Sequence, residues 1–160
     1  MSSLGDRVTS VLIELADCLC REIESRGMRE PCFCGVLPGD EAPFNYCSRC
    51  DGGQAWVRLV GVGSPTDQIA TNNCVGLLAV QIEMGMVSGY RQIDEDGEPA
   101  DMATALAATE RQIDEMDVMY HVLTCCPLTM KEKVSALSYA PVGPEGTCLG
   151  GIWTGVIPVI

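Results

Sequence analysis

The chain has 160 residues, enough for one domain with a real core, and carries 10 Lys+Arg against 22 Asp+Glu for a net charge of −12. That balance excludes the basic face with which proteins grip nucleic-acid phosphates. No run of 18 apolar residues is present and the start, "MSSLGDRVTS", has no basic region followed by an apolar one. The expectation is therefore a single domain over 1–160 with neither a membrane span nor a signal peptide.

In "GDRVTSVLIELADCLCREIESRG", Val8, Leu12, Leu15, Leu19 and Ile23 recur at spacings of three or four. This predicts a helix with one buried stripe, stopped by Gly27. Residues 28–53, "MREPCFCGVLPGDEAPFNYCSRCDGG", combine Pro, Gly and Cys with no period, so an irregular cysteine-rich excursion is expected. "QAWVRLVGV" alternates β-forming side chains and reads as a strand. In "CVGLLAVQIEMGMVSGY", Leu78, Val80, Ile82, Met84 and Met86 share one face at period two, with Gln81 and Glu83 on the wetter face. This is a long strand, with a helix as the alternative.

After the acidic turn "RQIDEDGEPAD", a second helix is expected from Pro99 to about Cys126. Met102, Leu106, Ile113, Met116, Tyr120 and Leu123 form its predicted buried side, and Glu110, Arg111, Asp114, Glu115 and Asp117 its wet side. "SALSYAPVGPEGTCLGGIWTGVIPV" reads as two extended segments around the turn-forming "PVGPEG". The predicted fold class is α+β: a mainly antiparallel sheet with two helices packed on one face and a closing C-terminal hairpin. The final strand, with Ile152, Trp153, Val156 and Ile157, is expected to be covered by the sheet and by an adjacent subunit. Gly150, Gly151 and Gly155 would allow close backbone approach, and Pro158 suits a strand end or edge.

Ten cysteines are the most suggestive chemistry: Cys18, Cys20, Cys32, Cys34, Cys47, Cys50, Cys74, Cys125, Cys126 and Cys148. Cys32, Cys34, Cys47 and Cys50 form C-x-C followed twelve residues later by C-x-x-C, a candidate zinc tetrad, although one intervening residue makes it hard for two sulfurs to reach one ion. Disulfides compete with that reading if the protein leaves the cytoplasm. Free buried thiols are the default for most of the ten while the protein is intracellular, Cys18 and Cys74 in particular.

His121 and Cys125, at i and i+4, share a helix side, but a nucleophile and base on one helix lack the orienting third group. "DEDGEPAD" lacks the twelve-residue calcium-loop pattern, and neither a phosphate-binding glycine loop nor a paired-carboxylate signature occurs. No catalytic, cofactor-binding or metal residue is assigned, and no enzyme is expected.

The blocks "CFCGVLPGD", "GGQAWVRLVGVGSP", "IEMGMVSGYRQIDEDGEPAD", "AATERQIDEMDVM" and "GPEGTCLGGIWTGVIPV" resemble successive blocks of neck proteins from long-tailed bacteriophages of actinobacteria, above all the tail terminators. The resemblance covers nearly the whole chain. It implies a virion protein assembled in the host cytoplasm as a homohexameric ring, contacting the tail tube protein and the head-tail connector or stopper. DNA would pass through its lumen without specific binding. A head-to-tail stopper or adaptor of the same neck, or a cysteine-rich zinc-stabilised binding module, is the alternative.

Overall fold

The structure, a computed structural model, describes residues 3–44, 46–47, 50–63, 78–90, 96–145 and 147–159. The first helix, α1 (Leu4–Ser25), begins at Ser3, whose hydroxyl accepts from the Asp6 amide while the Asp6 carboxylate accepts from the Ser3 amide. This reciprocal cap satisfies two amides that the first turn leaves without partners. Gly27, at φ 65°, ends the helix as expected. All five residues of the predicted stripe are buried.

Five strands follow: β1 (Phe33–Leu37), β2 (Gln54–Gly63), β3 (Leu78–Gly89), β4 (Ser135–Glu145) and β5 (Cys148–Val159). Between β3 and β4 lie the second helix, α2 (Met102–Cys125), and a single turn, α3 (Pro127–Lys131), absent from the sequence expectation. The sheet order is β1-β2-β3-β5-β4, antiparallel except for the parallel β1/β2 pair. Thus the α+β class, the helices on one face and the closing β4/β5 hairpin are as the sequence predicts. The 28–53 excursion is not wholly irregular: "FCGVL" pairs with β2, Phe33 opposite Gln54 through Leu37 opposite Arg58. Its five residues are too few to show a period, and the parallel partner is what makes them a strand.

The main core lies between the sheet and the helices. Leu15, Leu19 and Ile23 from α1 and Val118, Met119, Val122 and Leu123 from α2 meet Val57, Val80, Ile82, Met84 and Ile157. A second, smaller core on the opposite face packs Trp56, Val87, Cys47 and Cys148 beneath Phe44 and Leu37. Gly85 faces the Trp56 indole so closely that a Cβ there would overlap the ring. Gly53, at φ 67°, presses against the Val87 carbonyl; the angle favours glycine and a Cβ there would overlap that carbonyl.

The cover expected of the sheet is present for β5: β3 and β4 pair its two edges within the same chain. Ile157 and Val159 are buried, whereas Ile152, Trp153 and Val156 are half-buried. Gly150 lies against the Met86 carbonyl and Gly151 against the Tyr139 hydroxyl, the close approaches expected of them. Pro158 lies beyond Val156, the last residue paired with β4, where one side of the strand has no ladder to donate to.

Candidate assembly surface

Helix α2 is capped by Asp101, whose carboxylate accepts from the Thr104 amide at 2.8 Å. Polar contacts help to hold it on the sheet and on the end of α1. The Trp153 indole donates to the Met116 carbonyl at 3.1 Å, Gln112 donates to the Gly150 carbonyl, and Asp117 pairs with Arg26 at 2.6 Å.

These contacts set the helix's rotation, and it differs from the predicted one. The buried residues are Glu115, Val118, Met119, Val122 and Leu123. Of the predicted buried side, only Leu123 is in the core; Met102 is 83% exposed, Leu106 54%, Ile113 52% and Tyr120 46%. The sequence pattern has apolar residues on two sides, and periodicity alone took the wrong one for the core side. What remains is an apolar stripe at 102, 106, 113 and 120 that points to solvent, about 27 Å long at the helical rise. It is bordered by the acidic residues Glu110, Asp114 and Asp117. At its end the Tyr120 ring lies 5.5 Å from Trp153.

Glu115 is the second correction on α2. Predicted on the wet side, it is 4% exposed. One carboxylate oxygen accepts from the Ser88 hydroxyl at 3.1 Å and lies 3.7 Å from Arg111, while the other has no hydrogen-bond partner among the described residues, like the nearby Tyr139 hydroxyl. Burial pushes its pKa up to about 7; Arg111 and Ser88 offset part of that rise, and Asp114 adds to it. Glu115 and Arg111 border a cleft of about 870 Å³ between α2 and the turns at Met28 and Gly52.

Glu83 was also expected to be wet, and is buried. Residues 38–44 of the excursion cover that face of the sheet. There Arg58 binds the Glu83 carboxylate through two nitrogens at 2.7 and 3.2 Å, the Trp56 indole donates to it at 3.0 Å, and Arg58 also donates to the Gly39 carbonyl at 3.2 Å. A carboxylate so enclosed is stable as an ion only because all of these donors converge on it.

Eight cysteines form four disulfides: Cys18–Cys126, Cys20–Cys34, Cys32–Cys50 and Cys47–Cys148. This corrects the free-thiol default, for Cys18 included, and it divides the candidate zinc cysteines Cys32, Cys34, Cys47 and Cys50 among three bridges. Among the described residues no group of three or more His, Cys, Asp or Glu is arranged to hold a metal ion. Cys74 lies outside the described residues, as do residues 91–95 of the acidic turn. Cys125 is free and exposed, its sulfur beside the Thr124 hydroxyl at 3.6 Å, whereas His121 faces Glu22 at 3.7 Å. Each has its own neighbour, and among the described residues no third group orients them as a pair. Among the described residues, no helix is long and apolar enough to cross a membrane.

No family model matches this chain, and no curated protein matches it.

Proposed function

We propose that the chain is a structural protein of the virion neck in a long-tailed actinobacterial phage, a homohexameric ring that caps the tail tube and docks to the head connector. The observation that carries this reading is the exposed apolar stripe of α2. A fold that buries Glu115 yet leaves Met102, Leu106 and Ile113 exposed has placed its most conspicuous apolar helix face where another molecule can cover it. Such a protein works by assembly, without turnover, and has no need of a catalytic residue, metal or cofactor.

Two further features agree with it. Four disulfides suit a protein that ends its life outside the reducing cytoplasm, as a released virion does. A net charge of −12 suits a ring through which DNA must slide, since its wall would repel phosphates.

The reading is tested by electron microscopy of particles from a phage in which this chain carries an early stop codon. Tails of irregular length, detached from filled heads, are expected. Tails of normal length beside heads that lose their DNA would move the protein to the stopper position, and normal joined particles would contradict a neck role altogether.

A further inference from the structure

We infer that copies of this chain join head to tail, with the uncharged end of the β2/β3 ladder of one copy seated on the α2 stripe of the next. The inference rests on the ring reading and names the two surfaces that form the ring.

The chain carries a second exposed apolar patch besides the α2 stripe. Leu59, Val60 and Val62, near the end of β2, are between 37% and 45% exposed. They belong to a stretch of ladder, 59–63 with 78–82, that contains no charged side chain at all in a chain of net charge −12. Strand β1 pairs with β2 only as far as Arg58, so among the described residues the outer edge of 59–63 has no strand partner. Five residues of strand span roughly 17 Å, which fits within the stripe of about 27 Å.

Charge decides which patch meets which. Pairing α2 with α2 of a second copy would bring Glu110 and Asp114 against the same acids, and like charges brought together disfavour a contact. The uncharged ladder end imposes no such repulsion. Pairing ladder edge with ladder edge is opposed by the irregularity between Leu59 and Gly61, since a bulge breaks the edge's regular row of donors and acceptors. The favoured contact therefore joins two different surfaces.

Position makes that contact productive. β2 lies towards one end of the sheet order, and α2 packs on β5 and β3 towards the other, so the two patches occupy separate places on the subunit. A contact between unlike surfaces leaves a free patch at each end of every dimer. It continues until the rotation closes a ring.

The test uses the full oxidised chain and reads native mass. Ile113→Asp disables the stripe, and Val60→Asp with Val62→Asp disables the ladder end. Wild type is expected as a closed ring and each variant alone as a monomer. An equimolar mixture should give a one-to-one dimer and nothing larger, because only one intact pair of surfaces remains. Unchanged circular-dichroism melting checks folding; where a variant fails it, Ile113→Ser or Val62→Ser takes its place. A monomeric wild type, a variant that still assembles, or a mixture that stays monomeric would overturn the inference. A ring of this kind in a phage whose tail length ignores it would leave the contact standing and remove the neck reading instead.

Discussion

The Glu115 carboxylate accepts a hydrogen bond from the Ser88 hydroxyl at 3.1 Å, so an acidic side chain of α2 is held down on the central strand of the sheet rather than in water. Its folded-state pKa of about 7 lies above the ordinary value of 4.5, so the folded chain holds this proton more tightly than the unfolded chain does. The stabilisation is fully present below pH 4.5 and is lost as pH rises through about 7, by roughly 3 kcal/mol at most. Denaturation midpoints should therefore fall between pH 5 and pH 8, and Glu115→Gln should flatten that part of the profile. A Gln variant with the wild-type slope would assign the dependence elsewhere.

Arg58 and Glu83 form an ion pair at 2.7 Å that residues 38–44 enclose. Glu83→Gln or Arg58→Met alone should cost about 3–5 kcal/mol, because each leaves the opposite charge buried without its partner. The double variant should recover much of the loss. A double-mutant cycle in urea measures both, and additive costs would show that the two side chains do not depend on each other.

The bridges Cys18–Cys126 and Cys47–Cys148 connect residues 108 and 101 positions apart. Cross-links over such distances restrict the unfolded chain most, so replacing either pair with serines should cost about 2–5 kcal/mol in equilibrium unfolding. Cys47–Cys148 also ties the excursion to β5, and its loss should raise protease cleavage within 38–47 before the rest of the chain unfolds. Resistance equal to wild type there would mean that Phe44 packing on Trp56 and the hydrogen bond from Arg58 to Gly39 hold the segment without the bridge.

Two residues of α2, ten apart, should respond oppositely to truncation. Leu123 is buried in the core, and Leu123→Ala should cost about 2–5 kcal/mol. Ile113→Ala should change the stability of the isolated subunit by less than about 0.5 kcal/mol, as at most exposed sites. Comparable losses at both positions would return Ile113 to the core and with it the stripe that the sequence pattern favoured.

That contrast shows where the sequence was informative. Val8, Leu12, Leu15, Leu19 and Ile23 lie on a helix with a single apolar stripe, so period and burial coincide. β3 was readable for the same reason, since Val80, Ile82, Met84 and Met86 all face the helices. α2 has apolar residues on two sides, and what selects the buried one is a set of distant contacts, Trp153 to Met116 and Arg26 to Asp117, that local pattern does not contain. Glu83 and Glu115 were misplaced because burial of a carboxylate depends on donors brought from elsewhere in the chain, Arg58 and Ser88. Cysteine pairing was illegible too: nothing in C-x-C and C-x-x-C tells that Cys34 turns to Cys20 and Cys47 to Cys148.

Assembly through the α2 stripe is the central claim, and the native mass of the oxidised wild-type chain tests it most directly. The account predicts a discrete particle at six times the 17.1 kDa subunit mass, persisting on dilution. A single 17.1 kDa species at every concentration would contradict it, for it would mean that Met102, Leu106, Ile113 and Tyr120 remain in water with no copy of the chain to cover them.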